Sequence, residues 1–177
     1  MKIAITGHTS GIGLALFEHF QSAGHTCVGF SRSTGYDISK SVDRGRILLE
    51  SLDSDVFINN AYNNWDDSQY LMLEKVATHW QGRDKLIINS ASKITDYERP
   101  KYAFLQQYRD TKILLDKFTK MHQGLPYISN LRFGWVDTPR VVNSPEEKMS
   151  VENVVKVVDY VIQNKGILNI RSLTLVK

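Results

Sequence analysis

A tyrosine followed four residues later by a lysine occurs three times in this chain, at Tyr36/Lys40, Tyr97/Lys101 and Tyr108/Lys112. On a helix, side chains at i and i+4 stand on one face, so such a pair sets an ammonium beside a phenol. A phenol titrates near 10, and exchanging its proton at neutral pH needs roughly 4 kcal/mol of phenolate stabilisation. An ammonium about 4 Å away, at an effective dielectric of about 20, supplies that order of energy. Only Tyr108 and Lys112 fall in an uninterrupted helical stretch. Tyr36 sits in a short extended segment, and Pro100 disfavours helical geometry between Tyr97 and Lys101.

A second stretch with chemistry in it opens the chain. Thr6-Gly7-His8-Thr9-Ser10-Gly11-Ile12-Gly13 joins a short apolar run, Ile3 to Ile5, to an amphipathic stretch beginning at Leu14. The order is strand, glycine turn, helix. Glycines here admit positive φ, let the backbone approach a pyrophosphate, and let the new helix pack closely on the strand. The helix N-terminus then offers free N–H groups and the positive end of its dipole to an anion. The spacing of a threonine and three glycines is read as nucleotide-binding rather than as an ordinary glycine-rich turn.

These residues need elements to position them. Leu14, Ala15, Phe17, Phe20 and Ala23 recur at helical spacing, and Gly24 ends that helix. Thr26 to Phe30 is the second strand, and residues 31–39 are too short for a crossover helix and are expected to lead into another brief strand. Val42 to Leu52 predicts a helix, Asp55 to Ile58 a buried strand, Tyr70 to Gln81 a helix and Lys85 to Asn89 a strand. Pro100 suits the first turn of the longest helix, which the pattern carries to about His122 before Gly124. Pro126 to Arg132 reads as a strand, Val151 to Gln163 as a helix, and Ile167 to Val176 as mostly strand. Strands alternating with helices imply a parallel sheet covered on both faces.

The bounds agree with one α/β domain over 1–177. With 177 residues, 42% of them hydrophobic, the chain can bury a core but has little room for a second domain. A net charge of +3 without a Lys/Arg cluster gives no track for a nucleic-acid backbone. The apolar run after Met1-Lys2 is too short for a signal-peptide core, and no stretch approaches a membrane span, so a cytoplasmic location is expected. The one cysteine, Cys27, lies in a strand-like run, where a buried, inert thiol is expected.

Thr6-Gly-x-x-x-Gly11-Ile12-Gly13, Asp37-Ile38-Ser39, Asn59-Asn60-Ala61, Ser92, Tyr108-x-x-x-Lys112 and Gly134-x-Val136-x-Thr138 follow one another in the order of the short-chain dehydrogenase/reductase family. The chain resembles that family over nearly its whole length. The resemblance implies a Rossmann-type, doubly wound parallel sheet and hydride transfer between a nicotinamide and the carbonyl or alcohol carbon of a small molecule. It makes Tyr108 the general acid/base, and Lys112 the group that lowers its pKa and bonds the nicotinamide ribose. Ile87-Ile88-Asn89-Ser90-Ala91-Ser92 matches the family's strand end and places the substrate-holding hydroxyl at Ser92, with Ser90 as runner-up. The cofactor-binding set it implies is Gly7, Thr9, Ser10, Gly11, Ile12, Gly13, Ser31, Arg32, Asp37, Ile38, Asn60, Ala61, Tyr62, Tyr108, Lys112, Gly134, Val136 and Thr138, with no metal. A homodimer or homotetramer is expected, because the family commonly pairs the helix of Tyr108 with its copy.

Cofactor choice is read from Gly29-Phe30-Ser31-Arg32-Ser33, which carries no acidic residue until Asp37. A carboxylate at the end of the second strand would accept bonds from ribose hydroxyls and repel a 2′-phosphate. Arg32 can instead grip such a phosphate with Ser31 or Ser33 beside it, so NADP(H) is expected over NAD(H). Several departures bear on the pocket. Tyr62 stands where the family has glycine, Phe133 replaces a common proline, and the asparagine of the proton relay has only Asn64 as a candidate. Between Ser92 and Tyr108 the chain is a few residues longer than is common, and a bulge near Tyr97 is expected. Between Pro139 and Ser150 there is little material for a lid, which leaves a shallow pocket or one completed by a partner subunit. Two rivals remain beside the carbonyl reductase: an idle dinucleotide-binding sensor, and a sugar-nucleotide reductase or epimerase, for which the C-terminal region is short.

Overall fold

Lys2–Thr6 forms strand β1, inside a six-stranded sheet. Its Ile3, Ala4 and Ile5 are fully buried, as an unbroken apolar run must be when helices cover both sheet faces. Thr26–Phe30 (β2) lies on one side of β1; Val56–Asn59 (β3), Leu86–Ser92 (β4), Tyr127–Phe133 (β5) and Ser172–Leu175 (β6) follow on the other. Every pairing is parallel. The helices are Gly11–Ser22 (α1), Ser41–Glu50 (α2), Ser68–His79 (α3), Gln106–Met121 (α4) and Val151–Gln163 (α5). This computed structural model describes residues 1–63 and 66–177.

Side-chain alternation along the strands divides the core in two. Ile3, Ile5 and Ile58 pack with Leu16 and Phe20 of α1 and Val154 and Val158 of α5. Ala4, Phe57 and Ile87 point the other way, toward Ile47 of α2, Met72 and Val76 of α3, Trp80, and Leu115 of α4. The chain moves outward from β1 to β2 and then crosses back to β3. The carboxyl ends of β1 and β3 therefore flank a switch point, where sheets of this kind leave a ligand crevice.

The doubly wound parallel sheet agrees with the sequence reading; four local details differ. Residues 31–39 add no strand, and β2 stays at the sheet edge. There Ser31 and Thr34 cap a short 3-10 turn over Arg32–Thr34, the Ser31 carbonyl accepts from the N–H groups of Thr34 and Tyr36, and Gly35 closes the turn in the left-handed region. Strand β4 runs on to Ser92, because β5 pairs with it up to Ser92↔Phe133. Helix α4 begins at Gln106 rather than at Pro100, after a 3-10 turn over Ala103–Leu105. The intervening Lys101 and Tyr102 are turned toward Glu146, to which both side chains donate. Strand β6 is only four residues long, since Gly166 turns left-handed after α5 and Asn164 holds the N–H groups of Ile167 and Leu168.

Candidate active site

The glycine turn closes on itself. Gly7 has φ 74° and Gly11 φ 53°, both in the region that favours glycine, and a β-carbon on Gly13 would collide with the Gly7 carbonyl. Ser10 caps α1 in an extended conformation without spending its hydroxyl on the helix. Thr6, fully buried, ties this turn to the end of β3: its hydroxyl accepts from the N–H groups of Asn60 and Ala61, each at 3.0 Å, while the Asn60 amide donates to the Thr6 carbonyl. Thr138, following β5, rests its methyl side against Gly11. Gly134 is bound to β6 through its N–H, and Val136 is buried and bridges to Met149. The turn, Asn60-Ala61 and the Gly134–Thr138 segment thus meet at one end of the sheet. Ile12 packs on the α1 side of the core.

The segment after β2 brings hydroxyls to the same end. Ser31 and Ser33 share a hydrogen bond of 2.9 Å, and the Ser33 hydroxyl donates to Thr9 of the glycine turn at 3.2 Å. Arg32 is exposed beside them. The Asp37 carboxylate accepts from both the N–H and the hydroxyl of Ser39, and these bonds hold it below the usual carboxylate range, with the Arg32 charge assisting. Ile38 is buried in the α2 side of the core.

On α4, Thr111, Lys112, Leu115 and Thr119 form the buried stripe. One turn earlier, Tyr108 is half-buried. The Ser92 hydroxyl, which donates to the Phe133 carbonyl and accepts from the Ile94 N–H, acts on this phenol to lower its pKa. Ser90 takes other partners: its hydroxyl donates to Asn60 and its carbonyl accepts from Lys112. Of the two serines, Ser92 is the one at the phenol. Burial pushes the Tyr108 pKa up, against the lowering effects of Ser92 and the Arg140 charge.

Lys112 departs from the sequence expectation. Its ammonium donates to the Gln69 side-chain oxygen at 2.6 Å and to the Ser90 carbonyl at 2.7 Å, and it lies over the ring faces of Tyr62 and Tyr108, 4.8 and 5.2 Å from their centroids. With its own pKa lowered it has shed its proton by the pH at which a phenol titrates, so the charge acting to lower the phenol's pKa is that of Arg140. Lys112 is 2% exposed, and desolvation, then Arg140, bring its own pKa down to about 7 against the pull of Asp116. Tyr62 packs edge-on against Tyr108 at 4.9 Å, and the Arg140 guanidinium stands 5.2 Å from the Tyr62 centroid.

Sequence reasoning missed Gln69 and Arg140. Gln69 is buried on α3, donates to the carbonyls of Asn59 and Ser90, and receives Lys112. Asn64, the candidate for the asparagine of the proton relay, lies outside the described residues. A row of in-register asparagines backs Gln69: Asn59 donates to Asn89, Asn89 to Asn130, and Asn130 to Asp116 of α4. Two concavities, of about 550 and 150 Å³, lie behind α4 and touch none of Tyr62, Ser92, Tyr108 or Lys112. Among the described residues no His, Cys, Asp and Glu group is placed to hold a metal ion, and no helix is long and apolar enough to cross a membrane.

No family model matches the chain, and no curated protein matches it. Solved structures do match, along nearly the whole length. A 4-hydroxyisoleucine dehydrogenase mutant complexed with NADH and succinate superposes with a TM-score of 0.80 at 17% identity, covering 99% of this chain and 96% of that one. Serine dehydrogenase from Escherichia coli gives 0.77 at 19%, covering 99% and 97%. The 3-ketoacyl-(acyl-carrier-protein) reductase from Brucella melitensis, complexed with NADH, gives 0.76 at 18%, covering 98% and 96%. The fold is that of these Rossmann-type dehydrogenases and reductases.

Proposed function

We propose that this chain is a short-chain dehydrogenase/reductase that uses NADP(H) to interconvert a carbonyl and an alcohol on a small molecule. The observation that carries the reading is the convergence of the Ser92 hydroxyl, the Tyr108 phenol and the buried Lys112 at the sheet end that also holds the glycine turn. The whole chain, 1–177, then serves as one dinucleotide-binding domain, in the cytoplasm, and as a homodimer or homotetramer.

The residues fit the cofactor. The turn from Gly7 to Gly13 admits a pyrophosphate against backbone N–H groups, and Ser31, Ser33, Thr9 and Arg32 offer hydroxyls and a guanidinium where a 2′-phosphate would lie. Asp37 spends its carboxylate on its own turn. When bound, the nicotinamide supplies or accepts the hydride. The Ser92 hydroxyl holds the substrate oxygen, and the Tyr108 phenol gives that oxygen its proton as the carbon is reduced. Burial keeps Tyr108 protonated, which is the form reduction consumes, and the Arg140 charge steadies the phenolate left behind. Lys112 has two of its three N–H donors engaged by Gln69 and Ser90, and the third would serve a ribose hydroxyl of the bound cofactor.

A panel of carbonyl compounds followed by NADPH absorbance tests this. Tyr108→Phe should lower turnover on any active compound by at least ~10²-fold while NADPH still binds. Unchanged turnover would overturn the role given to Tyr108. The orientation of Lys112 toward Gln69 rather than the phenol oxygen favours a second reading, an idle dinucleotide sensor. NADPH binding with no carbonyl reduced across the panel would select it.

A further inference from the structure

Four groups close around the Lys112 ammonium. Two are the oxygens it donates to, on the Gln69 side chain and the Ser90 carbonyl. The other two are rings, Tyr62 and Tyr108, with centroids 4.8 and 5.2 Å away. Together they leave Lys112 buried, so a ribose hydroxyl reaches its remaining N–H only after one of these covers moves. Three of them are fixed by the fold. Tyr108 stands on α4, and Ser90 lies in β4, in register with Leu131 of β5. Gln69 stands on α3 and is pinned by bonds from its amide to the carbonyls of Asn59 and Ser90. Tyr62 differs, lying outside any helix or strand between the end of β3 at Asn59 and the start of α3 at Ser68. Side-chain contacts hold its ring: the edge-on Tyr108 ring at 4.9 Å, the Lys112 and Arg140 side chains, and a long bond of 3.4 Å from the Thr111 hydroxyl to its phenol oxygen. The residue is only half-buried, so the ring has solvent to swing into.

We propose that Tyr62 is a gate over the nicotinamide half of the dinucleotide site: its ring leaves the Lys112 ammonium before a ribose hydroxyl takes its place, while the adenosine half binds without it moving. The proposal rests on the oxidoreductase reading and adds a closed form of the site to it. The two halves differ in access. Around the glycine turn Thr9, Ser10, Arg32 and Ser33 are exposed, whereas Lys112 lies under the Tyr62 ring. An ammonium held away from water gains from a ring face, and a hydroxyl oxygen that accepts its free N–H replaces that gain. One contact is exchanged for another at Lys112, so the ligand shifts the population toward the open form without disturbing Gln69 or Ser90. Until it does, the apparent affinity for the whole dinucleotide is reduced by the fraction of molecules that are open.

The test is calorimetric titration of NADP⁺, and of its adenosine half, adenosine 2′,5′-bisphosphate, into the wild type, Tyr62→Ala and Tyr62→Phe. Tyr62→Ala should bind NADP⁺ at least about fivefold more tightly than the wild type, the gain expected when roughly a fifth or less of the molecules are open. Its affinity for the bisphosphate should stay within about twofold of the wild type, and Tyr62→Phe, which keeps the ring, should stay within about twofold for both ligands. A second readout needs no nucleotide. Reductive methylation with formaldehyde and cyanoborohydride, followed by peptide mass spectrometry, should label Lys112 at least about fivefold faster in Tyr62→Ala than in the wild type. Unchanged or weaker NADP⁺ binding by Tyr62→Ala, with the bisphosphate still bound, would overturn the gate. So would equal tightening of both ligands, or a Lys112 as protected in Tyr62→Ala as in the wild type. If neither ligand binds any of the three proteins, the dinucleotide reading falls and takes the gate with it. Tighter NADP⁺ in Tyr62→Ala, in a protein that reduces no ketone with NADPH, would keep the gate and remove the hydride-transfer reading.

Discussion

Lys112 makes a prediction that needs no substrate. Its ordinary pKa of 10.5 is brought to about 7 in the folded protein, chiefly by burial and secondly by Arg140. Below about pH 7 both folded and unfolded chains carry the proton, and the native state bears the whole cost of a buried cation. Between about 7 and 10.5 the unfolded chain binds a proton that the native one has shed, so stability rises with pH at up to about 1.4 kcal/mol per pH unit. Above 10.5 neither state is charged and the cost is gone. Lys112→Met removes the titration and keeps the bulk. It also leaves the Gln69 side-chain oxygen without a donor, at about 1–3 kcal/mol, and takes one of two donors from the Ser90 carbonyl, so its effect at one pH is a contest of opposing effects. The pH dependence is not. From about pH 7 to about pH 9 the wild type should gain about 2 kcal/mol relative to the variant. Urea unfolding of both proteins across that range measures it, and stability curves that run parallel would refute a depressed Lys112.

Two further outcomes are expected. Arg32→Ala should lose at least tenfold in NADPH affinity by calorimetry and leave NADH nearly untouched; equal losses would show that Arg32 does not read the 2′-phosphate. Light scattering at tens of micromolar should report a dimer or tetramer, because the surface near α4 leaves Phe104 and Met121 about 80% exposed and Leu114 and Phe118 only half-buried; monomer alone would remove that assembly.

The sheet was legible because its strands are short apolar runs between turn residues, and the helices between them keep their period. The Ser31–Ser39 segment was not, since its outcome depends on hydroxyls capping a turn rather than on apolar spacing. Likewise Pro100 suits a helix start, but the pull of Glu146 on Lys101 and Tyr102, distant in sequence, delays the helix to Gln106. At the site, the glycine turn shows in its spacing, and Tyr108 and Lys112 in their spacing together with the uninterrupted helical stretch that holds them. Gln69 shows no such signal: a glutamine in an amphipathic helix reads as surface until the fold brings it under Lys112. Arg140 escapes for the same reason, as a lone arginine after a proline. What spacing could least convey was direction: the ammonium expected beside the phenol lies over its ring and donates to Gln69 and Ser90.

The proposed site residues are drawn mostly from the interior of the sheet, the ends of β1, β3, β4 and β5, together with α4, which packs on it. At the periphery, β2 forms one edge of the sheet, and the stretch from Pro139 to Ser150 carries one 3-10 turn. Interior strands are held by neighbours on both sides, and the asparagine row from Asn59 to Asn130 fixes three of them at the level of the site. The positions of Ser92 and of the Ser90 carbonyl that receives Lys112 therefore depend on the interior of the sheet and not on its edges.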